Sequence, residues 1–138
     1  MAVALDSDVV VGFLDESDAL HPKAAARIRE LLGRGDTLLA SVVTYAEVLT
    51  GAKLGHHDEP IVRGFFGDLV TEIVPVDLET AERAAELRSR RRSLRMPDAL
   101  ILASADLHSE VGLIICGDRK AMRLEGLSCE VELLRPTR

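Results

Sequence analysis

The sequence predicts an α/β/α sandwich built on a mostly parallel central sheet of four to five strands. Three observations carry this. Apolar runs of strand length alternate with stretches of helical periodicity along the whole chain. The opening run over residues 2–5 and a second over 113–116 are apolar at successive positions, as buried strands are. Residues 99–107 are apolar almost all round, the mark of a central, buried helix.

The elements follow in order. Residues 2–5 make a strand, and Asp8 is placed to cap a helix over 9–14. A helix over 21–34 presents Ala24, Ala25, Ile28, Leu31 and Leu32, and Gly33 and Gly35 end it. Residues 37–40 form a second strand, after which Ser41 caps a helix running to about residue 54. A polar turn over 56–59 closes at Pro60, and helical spacing resumes over 61–70. Residues 72–76 form a short strand whose Pro75 suits a sheet edge. Asp77 caps the next helix, in which Glu79 with Arg83 and Glu86 with Arg90 have i,i+4 spacing. Pro97 opens the apolar helix at a first-turn position. Gly112 leads into the strand 113–116, and 131–134 is the last strand. Neither a repeat nor a linker interrupts the pattern, so residues 1–138 are expected to form one domain.

Composition narrows the function. A hydrophobic share of 47% and a charged share of 29% are ordinary for a globular protein. The longest apolar runs fall well short of the roughly 18 residues of a membrane span. No basic segment followed by an apolar one marks a secretory leader, so the expected location is cytoplasmic. A net charge of −6 argues against coating nucleic acid by charge alone, but not against an acidic pocket neutralised by metal ions. With Phe13, Tyr45, Phe65 and Phe66 as the only aromatics, base stacking is not the main route of recognition. Cys116 and Cys129 are isolated, without zinc spacing, and read as structural thiols of a reducing compartment.

Acids make up 23 of 138 residues, so position rather than number singles any out. Asp6 ends the first apolar run, and Asp118 follows the second after Gly117. In parallel sheets the site lies outside the carboxyl ends of the strands, where both are expected. Glu47 lies in a helix whose Thr44, Thr50 and Gly51 leave room above it, so it is expected to project into a cavity. The packing groups Val42, Ala46 and Leu49 are expected on the opposite face. Asp98 begins the helix that wants to be buried. Each also has a plain structural reading: a turn for Asp6 and Asp118, a solvated helix position for Glu47, a favourable first-turn acid for Asp98. Together they are harder to dismiss. Like charges ~4–6 Å apart repel by about 3–4 kcal/mol at an effective dielectric of 20, and several such pairs would rival the stability of a domain. A converging set is therefore protonated, spread apart, or holding a cation. All-oxygen donors suit Mg2+ or Mn2+, and hard cations of this kind serve phosphoryl chemistry.

These residues resemble the motifs of PIN-domain ribonucleases: Leu5-Asp6, then 40–51 around Glu47, then Pro97-Asp98 with 99–103, then Cys116-Gly117-Asp118-Arg119. The ordered set spans nearly the whole chain. Its length looks like that of the VapC toxins of type II toxin–antitoxin pairs. The resemblance implies a PIN-like fold and a Mg2+- or Mn2+-dependent endoribonuclease, a homodimer or part of a larger toxin–antitoxin assembly, and inhibited by a VapB-like antitoxin. It implies Asp6 and Asp98 as main metal ligands, with Glu47 and Asp118 completing the catalytic acids. The family often has Thr or Ser where this chain has Cys116, and Ser or Asn where it has Asp8. Asp8 then either adds a fifth acid or caps the helix, the second being favoured.

Arg88, Arg91, Arg92 and Arg95 share i, i+3, i+4, i+7 spacing on one expected helical face just before Asp98. Arg88, Arg92 and Arg95 are candidates for holding RNA phosphates, against the alternative of a solvated helix end. His56 and His57 are adjacent and do not share a helical face, so a surface loop is expected there. His21 and His108 have no evident partner in the sequence. The apolar residues of 9–14 and 61–66 are candidate partner surfaces, and either Phe65 or Phe66 is exposed or both are core. Two rival functions remain. Asp6-Ser7-Asp8 resembles the start of haloacid-dehalogenase-type phosphatases, but the Lys and later acid of that class are not in place. A non-catalytic PIN-like RNA- or protein-binding module would gain stability by losing the acids this chain keeps.

Overall fold

The computed structural model describes residues 1–117 and 124–136. Its five strands are β1 (Ala2–Leu5), β2 (Thr37–Ser41), β3 (Val70–Val74), β4 (Val111–Gly117) and β5 (Glu130–Leu134). All are parallel, in the order β3-β2-β1-β4-β5. The helices are α1 (Ser7–Leu14), α2 (His21–Gly33), α3 (Val42–Lys53), α4 (Glu59–Gly64), α5 (Leu78–Arg90) and α6 (Met96–Leu107), with one π-turn at Phe65–Leu69 after α4. The chain builds outward from β1 through β2 to β3, then returns to the other side of β1 for β4 and β5. The order reverses between β1 and β4, and a crevice opens at such a reversal.

Strand alternation sorts side chains between two layers. Val3, Leu5, Leu38, Leu113 and Ile115 face α1, α2 and α3, where they meet Val10, Ile28, Leu31 and Val48. Ala2, Ala4, Leu39, Ile114 and Cys116 face α5 and α6, against Ala84, Leu87, Ile101 and Leu102. The small residues Ala2 and Ala4 let α6 approach the sheet closely, and six residues of this helix from Ala99 to Ala105 are buried. The expectation of a central apolar helix holds.

Several expectations need correction. Asp8 does not cap α1: the cap is Asp6, whose carboxylate accepts from the Val9 N–H at 3.0 Å. Asp8 lies two residues further in, within the first turn, where an acid complements the helix dipole. Ser41 and Asp77 do cap α3 and α5, by accepting from the N–H groups of Val43 and Thr80. The strand expected at 72–76 begins two residues earlier, at Val70. The π-turn ends the helix at Leu69, and Pro75 falls just beyond an edge strand. Arg83 turns not to Glu79 but to Asp106 at 2.7 Å and Glu86 at 3.0 Å. His21 and His108 both have partners, the Gly12 carbonyl at 2.8 Å and Glu72 at 3.0 Å. Phe65 and Phe66 are both core, packed edge to face with each other and next to Phe13 and Tyr45. Of the two candidate partner surfaces, Val9 and Val10 are buried while Ile61 remains 55% exposed. Cys116 and Cys129 are free, buried thiols, as expected. Among the described residues no helix is long and apolar enough to cross a membrane.

Candidate active site

The site forms where β1 and β4 end side by side. Leu5 pairs with Ile115, and the Asp6 N–H donates to the Ile115 carbonyl at 3.0 Å, so the ladder continues one residue beyond β1. Asp6 is only 6% exposed. One carboxylate oxygen, Oδ1, accepts from Val9, and the other, Oδ2, accepts from the Gly117 N–H at 3.3 Å. The pKa of Asp6 is raised from 3.8 to about 7: burial is the largest cause, the nearby charges of Asp8 and Asp98 add to it, and the two N–H donors act against it.

Cys116 lies beside Asp6 on β4 and is fully buried. Burial first, then the charges of Asp6 and Asp98, hold its thiol well above the ordinary range, so it stays protonated. Cys116 therefore occupies the position of the expected hydroxyl as a neutral thiol. Gly117 is required by contact: a Cβ there would lie 2.9 Å from the Asp8 Cβ and 3.2 Å from its Oδ2. Only a residue without a side chain lets β4 end against the first turn of α1.

Asp98 occupies the third position of α6, whose cap is Arg95, with Pro97 in the first turn. The helix starts next to the ends of β1 and β4, close enough for its carboxylate to act on both Asp6 and Cys116. Glu47 comes from α3. It does not project into a cavity: it is exposed, and its Oε1 accepts from the Ser7 hydroxyl at 2.6 Å, which ties it to the residue after Asp6. The buried face of α3 is Thr44, Val48 and Ala52, adjacent to Glu47 rather than opposite it, while Val42 is 38% exposed. Thr44 is fully buried and its hydroxyl has no partner among the described residues.

Asp6, Asp8 and Asp98 are thus brought together, and Glu47 is tethered at their edge through Ser7. Asp118 lies outside the described residues. Among the described residues no three His, Cys, Asp or Glu side chains are arranged to hold a metal ion between them. Sequence reasoning missed Ser7 and Gly117. Ser7 directly follows the key acid, a signal that was available; the demand for glycine at 117 arises only from the approach of α1 to β4.

The expected row of arginines is not a helical face. α5 ends at Arg90, and Arg91 is extended, with φ −140° and ψ 95°. Arg92 and Arg95 belong to the connection into α6 rather than to the helix that carries Arg88.

A five-stranded parallel sheet with acids clustered at its topological reversal defines a class of α/β proteins whose polar site sits at the strand ends. The family model of the PIN domain matches residues 3–126, and the chain belongs to that family. No curated protein shows significant similarity to it. Among solved structures, it is similar to VapBC-5, a member of the VapBC family of toxin–antitoxin systems from Mycobacterium tuberculosis. That match is 27% identical, with 97% of this chain and 98% of the other covered and a TM-score of 0.61. VapBC2 from Rickettsia felis, bound to a DNA fragment from their promoter, shares the fold at 18% identity, coverage of 96% and 98%, and a TM-score of 0.73. DNA-bound VapBC from Salmonella typhimurium does so at 14% identity, 96% and 98% coverage, and a TM-score of 0.64.

Proposed function

We propose that this chain is the toxin of a type II toxin–antitoxin pair, a Mg2+- or Mn2+-dependent endoribonuclease that a VapB-like antitoxin inhibits. Membership of the PIN domain family and end-to-end similarity to a member of the VapBC family support it. The observation that carries it is Asp6. A carboxylate buried at a strand end, pushed up to about 7 and facing two further aspartates, is costly to the fold and is useful where a cation is to be held.

The donor set fits a hard cation. Mg2+ is commonly held by one or two carboxylates, retains waters and completes its shell with substrate phosphates, so three converging protein ligands are not needed. Asp6 and Asp98 would hold the ion, with Asp118 and Glu47 as further acids of the site; the protonated Cys116 thiol is no competing ligand. When bound, such an ion supplies positive charge that polarises the phosphodiester. The chain's own contribution is placement. Val9 and Gly117 fix the Asp6 carboxylate, Ser7 orients Glu47, and α6 presents Asp98 from its first turn.

The phosphatase alternative fits less well, because both Asp6 oxygens accept backbone N–H groups, an arrangement that dampens a nucleophile. The test is RNA cleavage by the purified chain with Mg2+ or Mn2+. Asp6→Asn and Asp98→Asn should each reduce cleavage beyond the roughly 10–100-fold typical of losing a residue that only supports a ligand. Full cleavage by Asp98→Asn in nuclease-free preparations refutes the reading. Metal-dependent RNA binding without turnover would make the chain a binding module instead.

A further inference from the structure

Five of the chain's 17 Lys and Arg residues lie between positions 88 and 95, in a protein of net charge −6. Among the described residues elsewhere, several basic side chains are paired. Arg27 pairs with Glu132, Arg34 with Asp36, Lys53 and Arg63 with Glu59, and Arg83 with Asp106. Arg90, Arg92 and Arg95 form no salt bridge among the described residues, and all three are exposed.

The connection that carries them is braced. The Arg88 Nε donates to the Leu94 carbonyl at 2.8 Å, and Leu94 is buried against the α5 and α6 layer. The brace spends Arg88 on structure and leaves Arg92 and Arg95 on a fixed turn. Arg90 leans the other way, its guanidinium close to Gly126. An open cleft of about 420 Å3 runs beside this turn, lined by Ala85, Arg88, Ser89, Arg92 and Met96. Ala85 and Met96 give it an apolar floor. Met96 lines the cleft from the first position of α6, and Arg95, which caps that helix, immediately precedes it.

From this arrangement we propose that the cleft between α5 and α6 seats a nucleotide of single-stranded RNA, with its flanking phosphates on Arg92 and Arg95. The inference rests on the nuclease reading above, whose substrate it places. A chain of net charge −6 repels a polyanion, and two guanidiniums without a salt bridge beside the cleft offset that repulsion locally. The apolar floor suits a base or ribose, which a carboxylate-bearing peptide does not offer. With so few aromatic side chains, a methionine floor takes the part that stacking takes elsewhere.

The test is binding of a short fluorescein-labelled single-stranded RNA to the full chain in EDTA, followed by anisotropy between about 50 and 200 mM salt. Arg92→Gln and Arg95→Gln should each weaken binding roughly 5-fold at 0.1 M salt and reduce the log–log salt slope by about 0.7, the double variant by about twice that. Arg29→Gln, on α2, should change neither. All these positions are exposed, and a melting temperature equal to wild type confirms each fold. Affinity and slope unchanged in the double variant overturn the proposal, as does absence of RNA binding by the wild type. Loss of binding to polyglutamate with RNA binding retained also overturns it and gives the surface to an acidic protein partner. Arginine-dependent RNA binding by a chain that cleaves no RNA with Mg2+ leaves the cleft standing while the nuclease reading fails.

Discussion

Replacing Asp6 by Asn should stabilise the metal-free protein, and the size of the effect follows from the site. An acid whose pKa rises from 3.8 unfolded to about 7 folded takes up a proton on folding between those values. Its stability contribution is therefore intact below 3.8 and is lost as pH rises towards 7. At 1.36 kcal/mol per unit the loss reaches about 4 kcal/mol by pH 8. Asn removes this charge and keeps the cap on Val9, since Asn and Asp cap helices equally well. It cannot accept from both Val9 and Gly117, so the 3.3 Å bond from the buried Gly117 N–H is lost, at about 1–2 kcal/mol. The net expectation is a gain of about 2–3 kcal/mol at pH 8, or roughly 6–10 °C in melting temperature for a chain of this size. Urea unfolding in EDTA at pH 8 and near pH 4.5 measures it. The gain should vanish at the lower pH, where the wild-type carboxyl is protonated in the fold. A variant no more stable than wild type at pH 8, or a difference that ignores pH, would refute the account of Asp6 as a buried acid held at a cost.

Three other perturbations follow from the packing. Gly117→Ala should cost about 1–3 kcal/mol in chemical denaturation and depress RNA cleavage, because the new Cβ meets Asp8 at 2.9 Å. Thr44→Val should raise stability by about 1 kcal/mol, since it removes a buried hydroxyl without a partner at nearly constant shape; a loss would mean that the hydroxyl is satisfied in solution. Asp106→Ala should cost about 2–3 kcal/mol, as Asp106 receives Arg83 and the Ser128 N–H and ties α5 and α6 to the approach to β5. Burial pushes the Asp106 carboxyl up, but the Ser128 N–H and Arg83 outweigh it and hold it below 3.8. Its contribution is thus full above that value, and the Asp106→Ala deficit should shrink only at lower pH.

What could be read along the chain is what local chemistry specifies. The five strands, the caps at Ser41 and Asp77 and the burial of α6 were legible because apolar runs, capping side chains and an all-apolar helix are signals within one segment. The sequence also showed Asp6 at a strand end, and the order of its acids was enough to suggest the family. The misreadings share a cause. Asp8 and Asp6 are equally good caps on paper, and only the Gly117 contact and the ladder to Ile115 settle that Asp6 ends the strand and begins α1. Spacing put four arginines on one helix face, but the Arg88 brace to Leu94 closes a turn inside that stretch and divides them. Glu47 was expected in a cavity, yet the depth of α3 in its layer is fixed by Thr44, Val48 and Ala52 packing under it, and Ser7 meets it at the surface.

The amino-acid order determined the alternating elements, their amphipathic faces and a supply of carboxylates at strand and helix ends, since each depends on neighbours a few residues away. The strand order β3-β2-β1-β4-β5, with its reversal between β1 and β4, belongs to the tertiary structure alone. That reversal brings Asp6, Gly117 and Asp98 together across more than a hundred residues of chain, where burial can raise a carboxyl from 3.8 to about 7. Desolvation depends on everything packed around a group, and no stretch of sequence contains it.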